Sequence, residues 1–242
     1  MIDILKILLE EKQMAYKGGL YHETQIRLAY NSNRIEGSSL SEEQTRFIYE
    51  TSSIVAMPES GECIKTDDII ETNNHFFLFD KMLETIDCEL SHDMIKKYHY
   101  MLKRGTSDER REWFAVGDYK KLPNTIGTTE TSRPENVSAD MQKLLDEYHR
   151  SDGANLNKII DFHVKFERIH PFQDGNGRIG RVIMFRECLK NNVTPFIIQD
   201  KNKAFYYSGL QEYSREKGFL RETCAHEQEI YELRAKYFSK GR

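Results

Sequence analysis

The residues best able to do chemistry sit together in His170-Pro171-Phe172-Gln173-Asp174-Gly175-Asn176-Gly177-Arg178-Ile179-Gly180-Arg181. Gly175 and Gly177 carry no side chains, so backbone N–H groups there can approach a ligand closely. They stand where a loop enters a helix, and a helix N-terminus attracts anions through its free N–H groups and its dipole. Arg178 and Arg181 are three apart and project from one helical face, which suits phosphate oxygens. Asp174 offers a hard carboxylate oxygen beside that nest, suitable for Mg2+ bridging phosphates. His170 is the nearby side chain that can take a proton near neutral pH. Each feature alone has an ordinary explanation: a turn, a structural histidine, two solvated arginines. A base, a metal ligand, an anion nest and two arginines within one short segment argue instead for phosphate chemistry.

Such a cluster needs rigid elements around it, and helical periodicity supplies them. Over 67–86, Ile69, Ile70, Asn73, Phe76, Phe77 and Leu83 recur at helical spacing. Ser91 can cap a helix bearing Met94, Tyr98, Met101 and Leu102 that ends before Gly105, and Ser138 can cap another carrying Met141, Leu144, Leu145 and Tyr148. Residues 156–169 place Leu156, Ile159, Ile160, His163 and Phe166 on one stripe, and 176–190 and 203–217 read the same way. The first 40 residues read as two helices parted at Gly37, the second opening with the capping-box pattern Ser41-Glu42-Glu43-Gln44. Residues 113–137 differ: Gly117, Pro123, Gly127 and Pro134 punctuate them, and threonines at 125, 128, 129 and 131 favour a short hairpin.

Composition narrows the class. The 242 residues suffice for one sizeable core with an added helical layer. A net charge of −4 gives no pull toward nucleic acid or acidic membranes, and no apolar run approaches a membrane span. The start, MIDILKILLEEKQ, is interrupted by Asp3 and Lys6 and reads as an amphipathic helix, not a signal peptide. Cys63, Cys88, Cys188 and Cys224 lack metal-site spacing; three of them lie in helical-looking segments, and all four read as reduced thiols of a cytoplasmic protein.

The 170–181 segment matches, at every specified position, the signature HPFx[DE]GNGRxxR, and so resembles the Fic family. More weakly, the resemblance runs from about residue 67 to 220. It implies an all-α fold, a Fic-type helical bundle with a small β-hairpin flap. It also implies transfer of AMP from ATP to Ser, Thr or Tyr hydroxyls of proteins, the chain itself included. By that resemblance His170 would be the general base, and Asp174 would hold Mg2+ (Mn2+ being the alternative) between the α- and β-phosphates. Gly175, Asn176 and Gly177 would form the anion hole, Arg178 would touch phosphate oxygens, and Arg181 would reach the γ-phosphate. Phe172 would anchor the loop in the core. Tyr206-Tyr207 resembles the family's segment beside the adenosine, with core packing as the alternative. Tyr119 to Gly127 resembles the flap, so that Asn124, Thr125, Ile126 and Gly127 would border ATP and the flap edge would take the target segment as an extra strand. Lys120 stands where the family usually has Arg, and Pro123-Asn124 interrupts the usual apolar run.

Ser32-Asn33-Arg34-Ile35-Glu36-Gly37 matches the family's inhibitory pattern [ST]xxxE[GN], with Ser32 and Glu36 on one face of a helix that Gly37 would end. The resemblance implies that Glu36 pairs with Arg181 and denies it to ATP. The organisation expected is an inhibitory helical region at 1–66, a Fic core at 67–220 and a C-terminal helix at 221–242. The partners expected are ATP, an unspecified target protein and the chain itself, with no direct nucleic acid and no membrane. Apolar faces in the N-terminal helices and in 67–103 could support a homodimer. The rival readings are transfer of another phosphate-containing group, removal of AMP from a modified target with Glu36 orienting water, and nucleotide sensing without chemistry. His170 argues against the last, because binding alone needs no base.

Overall fold

A computed structural model of the chain describes residues 3–54, 63–127, 129–150 and 153–239. Among these residues the structure is ten α-helices and one two-stranded antiparallel sheet, as the all-α expectation requires. Its centre is α8 (Asn176–Lys190), buried at every residue from Asn176 to Leu189. A helix buried on all sides shows no amphipathic stripe and must be surrounded by others. α7 (Leu156–Ile169) packs along it, started by Asn155, whose side chain accepts from Lys158 N, and turning Ile159, Ile160, Phe162 and Phe166 inward. α4 (Thr66–Glu84) and α5 (His92–Lys103, capped by Ser91) close another side, and Phe79, Tyr98, Leu102, Phe166, Phe172 and Phe185 meet in one core. Ile4 and Leu8 of α1 (Ile4–Gln13) and Leu20 and Leu28 of α2 (Leu20–Ile35) join that same core.

Several boundaries differ from those read in the sequence. The N-terminal stretch holds three helices, because α1 stops at Gln13 and the chain turns through Ala15 and Gly18, both at positive φ. Glu11 locks that turn by accepting from Tyr21 N at 2.6 Å. The third helix, α3 (Glu42–Thr51), begins with both bonds of the expected capping box. α6 (Pro134–His149) starts at Pro134, not after Ser138; a proline at N1 costs no hydrogen bond. α9 (Lys203–Glu212) ends five residues short of the expected 217, and α10 (Gly218–Ser239) starts ahead of 221. On α4 the buried stripe is rotated: Asn73 and Phe77 are exposed, while Asp68, Thr72, Asn74 and His75 face inward. Cys88 lies past α4 outside any helix, and Cys63, Cys88, Cys188 and Cys224 are all free thiols.

The hairpin is small. β1 (Thr125–Ile126) and β2 (Thr129–Glu130) pair Thr125 with Glu130 and Ile126 with Thr129; Thr128, between them, lies outside the described residues. No helix among the described residues is long and apolar enough to cross a membrane.

Candidate active site

His170 is the residue after α7, held in the left-handed region at φ 51° with its N–H on the Phe166 carbonyl. Glycine usually takes that place; a side chain there costs about 1–2 kcal/mol, so the position demands the ring. Its Nδ1 lies 3.2 Å from the Glu167 carbonyl, which can only accept, so Nδ1 carries the proton and Nε2 keeps the free lone pair. Burial lowers the pKa of the ring, and the nearby Lys120 ammonium lowers it further. The imidazole is thereby kept neutral near pH 7, as a base must be.

The loop that follows is built to stay still. Asn176 accepts from Phe172 N and donates to Phe172 O, both at 2.8 Å, so its side chain braces the loop from inside. Phe172 is fully buried and stacks on His99 at 4.0 Å between centroids. Gly117 N donates to His99 Nδ1, which leaves His99 Nε2 as the donor to the Asp174 carbonyl at 3.1 Å. Burial takes His99 down to about 3, so this neutral tautomer persists across the physiological range. Gly175, at φ +81°, then turns the chain into α8, presenting the first-turn N–H groups that a helix leaves unpaired.

Asp174 is held between two cations. Lys103 Nζ reaches its Oδ2 at 2.8 Å and Arg178 Nη2 reaches the same oxygen at 2.9 Å. Burial raises its pKa, but Arg178 and Lys103 outweigh that and hold the carboxyl well below the usual carboxylate range. Both contacts fall on Oδ2 and the side chain is 48% exposed, so a hard oxygen remains open to solvent beside the anion nest. That donor fits a Mg2+ or Mn2+ ion carried by a polyphosphate. Arg178, expected to touch phosphate oxygens, here pairs with carboxylates. Its side chain is 4% exposed and forks between Glu71 and Asp174, so it braces the aspartate from behind.

The arginine one turn on is also engaged. Arg181 donates from Nε to Ser32 Oγ at 3.1 Å, and from Nη2 to the Ser32 carbonyl at 2.9 Å and Glu36 Oε1 at 2.6 Å. Burial lowers its pKa, yet Glu36 outweighs that and secures the charge. Glu36 gets this close because residue 177 is glycine: a Cβ there would collide with the Glu36 carboxylate. Tyr206 is buried, takes the core alternative, and bonds His163 Nε2 through its hydroxyl at 2.7 Å. Tyr207 is 44% exposed and donates to the Ile35 carbonyl at 3.2 Å, next to Glu36.

On the flap, Thr125 and Ile126 are exposed, but Asn124 is turned inward, donating to the Phe172 carbonyl at 2.9 Å. Its Oδ1 takes the Lys120 ammonium at 2.6 Å, which also binds Thr131 Oγ1 and the Ile169 carbonyl. Lys120 thus ties the hairpin base to the end of α7, and burial brings it down to about 8.

Sequence reasoning missed Glu71, Lys103, Asp108, Lys120 and Glu167 as site residues. Lys120 was visible as a substitution for Arg; the others carried no motif, because they come from separate elements and meet only in the fold. Glu167 is buried beside His163 and Gly180, and burial pushes its carboxyl up to about 8 against the pull of Arg181. A proton retained on folding, but lost from the unfolded chain above about pH 4.3, makes stability fall as pH rises from about 5 to 8. Glu167→Gln is expected to flatten that decline, gaining on the order of a few kcal/mol over the parent at pH 8 and little at pH 5. Urea unfolding at the two pH values checks this. Parallel slopes would mean the carboxylate is ionised in the fold.

Residues 89–188, which contain the whole His170–Arg181 segment, match the Fic/DOC family. Over that span the chain is similar to a Fic domain. Curated relatives include Protein adenylyltransferase fic-1 of Caenorhabditis elegans, 26% identical over 197 residues (79% of this chain, 37% of that protein). Another is Protein adenylyltransferase Fic of Nematostella vectensis, 27% identical over 190 residues (76% and 42%). The chain therefore spans about two fifths of the length of the curated relatives it matches. A Fic domain-containing signaling protein from Bacteroides thetaiotaomicron has the same fold, with TM-score 0.71 at 21% identity over 98% of this chain and 91% of that one. A Fic-1 structure from Caenorhabditis elegans superposes at TM-score 0.70 and 20% identity, covering 99% and 73%. The matched span includes the flap, His170, Asp174 and both arginines, whereas Glu36, Glu71 and Tyr207 reach the site from outside it.

Proposed function

We propose that this Fic domain moves AMP from ATP to a hydroxyl of a protein, its own chain included, and that Glu36 restrains it. The observation that carries the reading is His170: a neutral imidazole with Nδ1 bonded to backbone and Nε2 free, at the lip of a glycine-flanked helix N-terminus. The target hydroxyl oxygen would attack the α-phosphorus while Nε2 takes its proton. The bond from that phosphorus to the bridging oxygen breaks, and pyrophosphate leaves. The first-turn amides of α8 would receive the phosphate charge in fixed positions, the kind of preorganisation that dominates transfer catalysis. Mg2+ or Mn2+ held by Asp174 would supply charge neutralisation on the polyphosphate. Free thiols and the absence of a spanning helix among the described residues fit action in a reducing, aqueous compartment such as the cytoplasm.

The test uses Glu36→Gly protein and ATP labelled either at the α- or the γ-phosphate, alone and in cell lysate. Covalent α-label on protein supports the reading, and mass spectrometry then names the modified residue and partner. Covalent γ-label alone would mean phosphate transfer, and retained nucleotide without covalent label would mean sensing; either result removes the AMP-transfer assignment.

A further inference from the structure

Asp174 is one of three carboxylates that converge. Single oxygens of Glu71 (α4), Asp108 (in the 3-10 turn Ser107–Arg110) and Asp174 all lie within 4.8 Å of one another, a spacing at which acidic groups hold a divalent cation. Here the centre belongs to the chain itself. Lys103, at the last turn of α5, is 2% exposed and bonds all three: Glu71, Asp108 at 2.6 Å and Asp174 at 2.8 Å. Arg178 closes the ring by linking Glu71 to Asp174.

We infer that Lys103 is a resident cation standing in for a metal ion: it positions Asp174 and keeps a second divalent cation out of the site. The argument is one of charge and geometry. Lys103 and Arg178 face Glu71, Asp108 and Asp174, leaving one net negative charge, which suits a single metal shared with ATP phosphates. Without the lysine the same enclosure would hold two net negative charges and three convergent oxygens, the complement of one dication. An ammonium fixed by the backbone also does what a loose ion cannot: it pins Oδ2 of Asp174 from one side while Arg178 pins it from the other. The second oxygen is then the one available to ligand. A neighbouring contact couples this ring to the inhibitory helix, since Arg178 Nη1 lies 3.5 Å from Asn33 Oδ1 on α2.

This inference rests on Asp174 being the metal ligand of the proposed transferase, but its test does not require transfer. Full-length Lys103→Met, Lys103→Arg and parent protein are titrated with Mn2+ in the absence of nucleotide, following melting temperature and the fraction of bound Mn2+ by electron paramagnetic resonance. Lys103→Met is expected to bind one Mn2+ that the parent does not, and to gain on the order of 5 °C on saturation. Lys103→Arg retains the charge and should behave as the parent. Equal Mn2+ responses in Lys103→Met and parent overturn the inference, even where AMP transfer by the parent is intact. Should Lys103→Met not fold even with Mn2+ present, Asp108→Asn decides. It removes one carboxylate at the partly exposed rim and leaves Lys103 to bear on Asp174, so Mn2+ half-saturation in the presence of ADP should rise about tenfold. An unchanged half-saturation overturns the inference as well. A new Mn2+ site in Lys103→Met, together with no α-label transfer by Glu36→Gly protein that retains Lys103, would instead count against the transferase reading alone.

Discussion

Replacing His170 with alanine in the Glu36→Gly background is expected to lower AMP transfer by about 10²–10⁴-fold, the usual worth of a general base, while leaving Mg-ATP binding within a few-fold. The separation follows from position. His170 belongs to the end of α7 and its ring meets Glu167, through the carbonyl at 3.2 Å and the carboxylate at 4.0 Å, whereas the loop's shape depends on Asn176, Phe172 and His99. Removing the ring also relieves a left-handed side chain only in part, because alanine at φ 51° stays strained. His170→Asn, which tolerates that conformation, separates loss of the base from backbone strain. The pH profile supplies a second check. Burial and Lys120 place the imidazole below its ordinary 6.5, so transfer should fall only as pH drops through the acid side of that value. Near-normal turnover of His170→Ala, measured as initial rates with α-labelled ATP, would remove the ring from the chemistry.

How much of this was legible beforehand depends on whether the signal was local. α7 and α8 could be placed to the residue, because the stripe over 156–169 has helical period and Gly175 marks where the loop enters the next helix. The site segment lies at their junction and was legible for the same reason: its residues are consecutive. Arg181 and Glu36 were readable as a pair only through two motifs, and the contact between them needed α2 to lie along α8, which no spacing states. The carboxylate partners of Arg178 were not legible, because a sequence shows residue type and not competition. Glu71 from α4 reaches it and shares it with Asp174, drawing the guanidinium into the interior. The partners of Asn124 were hidden similarly: its amide meets Lys120 and the Phe172 carbonyl. α4 is the general case. Its apolar stripe looked adequate, but the face turned inward carries Thr72, Asn74 and His75, since it packs on a polar site as well as an oily core.

Glu36→Gly should raise auto-modification by about 5–150-fold, corresponding to a coupling of about 1–3 kcal/mol between the inhibitory helix and the nucleotide site. In the free protein Arg181 spends both Nε and Nη2 on Ser32 and Glu36, so only the buried Nη1 is left for a γ-phosphate and a two-nitrogen fork is denied. The substitution removes the only carboxylate bonded to that guanidinium among the described residues, and leaves the two Ser32 contacts, which are neutral and weaker. A buried arginine deprived of its carboxylate is costly, so the variant is expected to lose about 1–3 kcal/mol of stability without ligand. Mg-ATP, supplying a new anion, should restore a larger share of melting temperature to the variant than to the parent. Arg181→Ala should be inactive in either background, because the group released by the first change is then missing. The double variant Glu36→Gly/Arg181→Ala therefore decides between release of a specific arginine and general loosening of the helix end. Loosening predicts a double variant as active as Glu36→Gly alone; release predicts one as inactive as Arg181→Ala. If Glu36→Gly itself leaves auto-modification unchanged, the contact between Glu36 and Arg181 is an ordinary structural ion pair, and the domain is restrained, if at all, by something other than α2.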